Sequence, residues 1–107
     1  MTIVDNNYRF ISSIFRALSD PVRVEIVAYL RDGEKCVCDL VSYLNLVQPV
    51  VSRHLKILKV AGIVKCRKDG IKHLYFVSDQ RIFGVIDTLT PDLVNELSKN
   101  AFEGAFC

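Results

Sequence analysis

Pro49 and Gly62 bracket a helix of about three turns, because proline suits a first helical turn and glycine ends a helix without a Cβ penalty. Asp69-Gly70, set between two alternating apolar runs, then asks for a tight hairpin. A helix that runs almost directly into a hairpin leaves few ways to fold 107 residues, and the same stretch gathers the positive charge. Segment 48–73 holds Arg53, Lys56, Lys59, Lys65, Arg67, Lys68 and Lys72 against the single acid Asp69, a local +6 within a chain of net charge +2. The remainder therefore carries −4. Such segregation suits a polyphosphate partner, whereas an evenly solvated surface mixes its signs.

With half of its residues apolar, the chain fits one domain, residues 1–107. A domain of this size buries only about 60–70% of its unfolded surface, so apolar faces left at its ends are expected to meet a second subunit. No apolar run approaches the roughly 18 residues of a membrane span, and the opening residues lack a signal-peptide pattern. The expected location is the cytoplasm, with no membrane partner. Four cysteines in a reducing compartment bind metal or pack more often than they form a disulfide framework, and Cys36 and Cys38 are the closest pair.

Tyr8, Ile11, Ile14, Phe15 and Leu18 recur at helical spacing over 7–18, with Phe10 widening the stripe. Ser19-Asp20-Pro21 caps a second helix over 22–30 that Gly33 closes. A third, short helix is expected over 38–44, a turn at Asn45-Leu46-Val47, and a fourth helix over 50–61. Segment 38–61 is thus a helix-turn-helix. Two strands, 63–66 and 74–77, make a wing over 63–77. Helical spacing returns beyond Ser78 with Ile82, Phe83, Ile86 and Leu89, then from Pro91 with Leu93, Val94, Leu97, Ala101 and Phe102. The fold class is mainly α with a small β-hairpin.

On the fourth helix, Val51, Leu55 and Leu58 share one face while Ser52, Arg53 and Lys56 point away. A helix fits the major groove, where arginine chelates guanine and glutamine reads adenine, so Arg53 and Gln48 are candidate base readers. Ser52, Lys56 and Lys59 are placed on phosphate. Lys65, Arg67, Lys68 and Lys72 flank the hairpin tip, where they would fix register on the duplex without reading sequence. His54 flanks the core side, where packing and a DNA contact both fit, and His73 reads as an ordinary strand residue. Double-stranded DNA is the expected partner.

The run Ala17-Leu18-Ser19-Asp20-Pro21-Val22-Arg23, then Cys36-Val37-Cys38-Asp39-Leu40, then Gln48 to Lys56, then Ala61-Gly62-Ile63-Val64, resembles the ArsR/SmtB family of metal-sensing repressors. The likeness covers about residues 15–77. It implies a homodimeric winged helix-turn-helix repressor that leaves a palindromic operator when its inducer binds. It also implies that 1–18 and 79–107 are the dimerisation helices, in agreement with the surplus apolar faces.

In the arsenic repressors that the chain resembles, a cysteine pair at this spacing binds As(III) or Sb(III), often with a third cysteine one turn on. Val41 occupies that place here. The resemblance therefore leaves Cys36 and Cys38 with solvent, or with a third thiol from Cys107 or Cys66. Family members that sense Cd(II) or Pb(II) with the same pair draw on N-terminal thiols, and this N-terminal segment has none. The family's zinc site on the last helix needs histidine, which residues 92–102 lack. Residues two apart on a regular helix lie about 200° around its axis, so a shared ion asks for a distorted turn at the start of the third helix. Nothing is permanently bound in this reading; the ion is the inducer.

Three alternatives stand beside it. Cys36 and Cys38 also fit as small buried apolar residues, and Cys66, alternating with Val64 on the first wing strand, fits a structural place. A repressor sensing oxidation or persulfide would pair Cys107 with Cys36 or Cys38, although the redox sensors of the family place a cysteine in the second helix, where 22–30 has none. A winged-helix protein-interaction module would bind DNA with little salt dependence. No nucleophile, base and pocket come together, so enzyme activity is not expected.

Overall fold

The computed structural model describes residues 5–105. Its elements follow as α1 (Asn6–Ala17), α2 (Pro21–Tyr29), β1 (Lys35–Cys36), α3 (Val37–Leu44), α4 (Gln48–Val60), β2 (Val64–Asp69), β3 (Lys72–Val77), α5 (Arg81–Asp87) and α6 (Pro91–Gly104). Most helix starts obey local chemistry. Asp5 accepts the N–H of Asn7, Asp20 accepts that of Val22 ahead of Pro21, and Thr90 accepts that of Leu93 ahead of Pro91.

Several features of the sequence expectation change, among them the fourth helix, which runs from Gln48 to Val60 rather than over 50–61. The second helix stops at Tyr29 and tightens into a 3-10 turn, Leu30–Asp32, before Gly33. The third helix begins at Val37 rather than Cys38, because Cys36 is its extended N-cap residue. Cys36 also closes a two-residue strand that was not expected. The sheet is therefore three-stranded and antiparallel, in the order β1-β3-β2, with Lys35 opposite Tyr75 and Cys36 opposite Leu74. The hairpin strands are longer than the apolar runs suggested, since backbone pairing continues through Asp69 and Lys72. The loop is Gly70-Ile71, with Gly70 at φ 62 in the left-handed region favoured at the first position of a two-residue hairpin loop.

The core lies between the helices and one face of the sheet. Ile26 and Val27 from α2, Leu40 from α3, Val51, Leu55 and Leu58 from α4, and Ile63, Val64 and Val77 are buried together with Phe83 of α5. Burying an aliphatic side chain of this kind contributes about 1.5–3 kcal/mol, so the three α4 residues set which face that helix turns outward. Its end is set as firmly. Gly62, at φ 82, donates to the Lys59 carbonyl and Ile63 to that of Leu58, the paired bonds that stop a helix on a left-handed residue. The chain then enters β2 directly. Arg31 grips Asp87 with two hydrogen bonds of 3.0 and 2.7 Å and lies over the Phe83 ring, which holds α5 against the 3-10 turn.

Candidate DNA-reading surface and ion site

α3 ends on Asn45, whose φ of 53 and ψ of 44 turn the chain sharply without glycine. Asparagine tolerates that region better than other residues with a side chain. Leu46 and Val47 complete the turn, and Val47, extended, hands over to α4. With Val51, Leu55 and Leu58 fully buried, Gln48, Ser52, Arg53, Lys56 and Lys59 are exposed. None of the five has a side-chain hydrogen bond or ion pair among the described residues, so their donors are available to a ligand.

His54 does not stand with that set. One position round from Arg53 brings it to the edge of the core, where its Nδ1 lies 3.2 Å from the Arg23 guanidinium of α2. Arg23 in turn donates to the carbonyl of Ala17 at 2.6 Å and, at 3.5 Å, to that of Arg16. Through Arg23, His54 thus joins α4 to the end of α1.

The wing divides similarly. Lys65, Lys68 and Lys72 are exposed and unpaired among the described residues. Arg67, expected beside them, is instead forked onto Glu34, with Nε to Oε2 at 2.8 Å and a second bond from Nη2 to Oε1. That hydrogen-bonded pairing holds the Glu34 carboxyl below its ordinary range and raises Arg67, slight desolvation opposing both. Cys66 shares a face with Tyr75 and His73, its sulfur 3.8 Å from the His73 Nδ1. Burial, and then the Cys66 thiol, raise the Tyr75 phenol above its ordinary range. Cys66 is not a member of the one donor cluster found among the described residues, which joins Cys36, Cys38 and Asp39. Cys107 lies outside the described residues.

Cys36 and Cys38 come together in a way the regular helix would forbid. Their Cα atoms are 5.3 Å apart, and with Cys36 extended (φ −78, ψ 163) ahead of the helix that holds Cys38, the two sulfurs are bonded to each other. The pairing expected for an oxidation sensor, Cys107 with one of the two, is not the one formed. The Cys36 sulfur accepts the Asp39 N–H at 3.2 Å, while the Asp39 carboxylate accepts the Cys36 N–H at 3.2 Å, so sulfur and carboxylate complete a reciprocal helix cap. Donor atoms of Cys36, Cys38 and Asp39 all lie within 4.8 Å of one another. Two sulfurs and one carboxylate suit a soft or borderline cation once the disulfide is reduced. A thiolate at Cys36 would gain from the helix N-terminus and from the Asp39 N–H. Asp39 is the site residue that sequence reasoning missed as a donor, although C-x-x-D just ahead of an apolar helix is a cap spacing visible in the sequence. A cleft of about 330 Å³ lined by Val37, Cys38, Val41, Ser42 and Gln48 runs from this site to the first residue of α4.

Residues 20–65 match the family model described as bacterial regulatory protein, arsR family. Over 91 residues the chain is 42% identical to an uncharacterized HTH-type transcriptional regulator of Methanocaldococcus jannaschii, covering 84% of this chain and 97% of that one. It belongs to the ArsR family. A second relative of this ArsR-family chain, the arsenical resistance operon repressor of Staphylococcus xylosus, is 37% identical over 89 residues, with 83% of this chain and 84% of the relative covered. Among solved structures, reduced HlyU from Vibrio cholerae superposes with a TM-score of 0.72 at 30% identity, covering 78% of this chain and 88% of that one. The fold is accordingly the winged helix-turn-helix of ArsR-family transcriptional regulators, with α3–α4 as the helix-turn-helix and β2–β3 as the wing. No helix among the described residues is long and apolar enough to cross a membrane.

Proposed function

We propose that this ArsR-family protein is a homodimeric repressor that holds a palindromic operator through α4 and the wing, and releases it when a thiophilic ion binds Cys36 and Cys38. As(III) or Sb(III) is the preferred inducer, with Cd(II) and Pb(II) next. Arg53 and Gln48 read bases; Ser52, Lys56, Lys59, Lys65, Lys68 and Lys72 hold phosphates, and Arg67 joins them when it leaves Glu34. Dimerisation through α1 and the C-terminal helices is supported by the large apolar side chains that the single chain leaves exposed there, Tyr8, Phe10, Phe15, Leu93, Val94 and Leu97.

One observation carries the release mechanism: Cys36 is at once the last residue of β1, paired to the wing strand β3, and the N-cap of α3, which leads into α4. A change in its sulfur's partners therefore bears on both DNA-contacting elements. Couplings of this kind are about 1–3 kcal/mol and reciprocal, so DNA weakens ion binding as much as the ion weakens DNA binding. The arsenical repressor relative supports the choice of ion. Replacing Cys36 and Cys38 together by serine tests it: operator binding should persist, and release by arsenite should vanish. Release by arsenite that survives the double substitution would refute the assignment.

The bonded sulfurs favour a second reading, in which oxidation rather than an ion is the signal. Under it, a mild oxidant in ion-free buffer releases DNA; under the first reading the oxidised protein stays bound and merely fails to respond to the ion.

A further inference from the structure

We infer that Ile71, at the tip of the wing, enters the minor groove of the operator and makes the protein prefer A·T to G·C pairs in the flanks of its site. The inference rests on the DNA reading above and adds a sequence-reading residue to a wing otherwise assigned to phosphates. Ile71 is 99% exposed, the highest value among the large apolar side chains that the described residues leave open. A single exposed apolar residue is ordinary on a protein surface, but its place here is not. With Gly70 it forms the two-residue loop between β2 and β3, at the extremity of the hairpin. Turn chemistry there favours glycine, asparagine, aspartate or serine and asks for no branched alkyl group. Isoleucine at that point serves neither the core nor the turn.

Its neighbours point to the partner. Lys68 and Lys72, on either side of the loop, are exposed, and their side chains make no hydrogen bond or ion pair among the described residues. The tip is thus an alkyl group between two free ammonium groups, with Asp69 the one acid beside them. Phosphates border a minor groove about 6 Å wide, which admits a side chain where a helix needs the wider groove. Lysines on its walls leave Ile71 over its floor. The six residues of β2 carry the tip roughly 20 Å from Val64, comparable with the half-turn of about 17 Å from a major groove to the next minor groove. On that floor an A·T pair shows only adenine N3 and thymine O2, whereas guanine adds a 2-amino group that an alkyl side chain would crowd and strip of water. A·T tracts also narrow the groove and strengthen its negative potential, which draws the two lysines.

The test begins with hydroxyl-radical footprinting of the reduced protein on DNA from its own promoter, which marks the minor-groove positions it protects. The protected flanks are then rebuilt as A·T, G·C or inosine·cytosine pairs, the last keeping the major-groove face of G·C while lacking the 2-amino group. Affinity for each duplex is read by fluorescence anisotropy. The parent should bind A·T and inosine flanks alike and roughly tenfold more tightly than G·C, while Ile71→Ala and Ile71→Asn should bind all three within about twofold. Both variants should melt with the parent, because the side chain is in solvent, and should keep its salt slope, because the lysines remain. A parent indifferent to the flanks, or variants that retain its preference, would overturn the inference and leave the reading helix untouched. Inosine flanks bound as weakly as G·C would overturn it too, since the preference would then lie in the major groove. Absence of any footprint on promoter DNA would overturn the DNA reading itself, and the role of Ile71 with it.

Discussion

Cys36 lies opposite Leu74 in the β1–β3 ladder, so the first residue of the candidate ion site is paired through its backbone to the return strand of the wing. Two residues earlier, Glu34 grips Arg67 on the other wing strand. The short segment ahead of α3 thus touches both strands of the hairpin before it turns into the helix-turn-helix.

Arg53→Ala should cost about 1–3 kcal/mol of operator binding and relax specificity, because a bidentate base contact is lost. Lys56→Ala should weaken specific and scrambled duplexes alike and lower the salt slope by about 1. Fluorescence anisotropy over a range of salt concentrations separates the two outcomes. Equal loss on both duplexes for Arg53→Ala would demote it to a phosphate contact.

Glu34→Gln should strengthen DNA binding severalfold at low salt, since it frees Arg67 for the backbone and removes a negative charge from the DNA-facing side. The thermal midpoint should move little, because the pair is exposed. Weaker binding in this variant would show that Glu34 positions Arg67 for DNA rather than withholding it.

Acid should destabilise the fold over a defined window. Hydrogen bonds from Arg81 pull Asp79 down to about 2, and hydrogen-bonded arginines lower Glu34 and Asp87 below their ordinary values. A carboxylate with a depressed folded pKa stabilises fully above its unfolded value, near 4. Between the two values the unfolded chain binds more protons, so the contribution fades as pH falls toward about 2. Thermal midpoints from pH 7 to pH 2 should be flat at first and then drop. Asp79→Asn should shallow that drop; an unchanged slope would remove Asp79 from the account.

Phe15→Glu and Leu97→Glu should each yield monomers in sedimentation and lower operator affinity at least roughly tenfold, because two half-sites are no longer engaged by one linked particle. Both side chains are at least half exposed in the single chain. Dimers that survive the pair of substitutions would place the interface elsewhere.

Much of this architecture was legible in the residues. Pro21, Pro49 and Gly62 gave helix limits to within two residues because their backbone chemistry is local, and the period of Val51, Leu55 and Leu58 gave the outward face of α4. Strand β1 was not legible, since two residues carry no periodicity and its pairing with β3 is set by tertiary packing. The partners of His54 and Arg67, from α2 and from Glu34, are 31 and 33 residues away in sequence and leave no local signal. The cysteine pair was visible, as was the need for a distorted turn at the start of α3; that Cys36 would be the extended cap of that helix with its sulfur bonded to that of Cys38 was not.

The most direct measurement is arsenite titration of the reduced protein on duplex DNA from its own promoter, followed by anisotropy, with a parallel titration of protein whose Cys36–Cys38 bond is left intact. The account predicts that the reduced protein releases DNA as arsenite rises, and that the oxidised protein remains bound and responds only after a thiol reductant restores both thiols. Reduced protein that stays on DNA at saturating arsenite, or oxidised protein that leaves DNA before any ion is added, would contradict it.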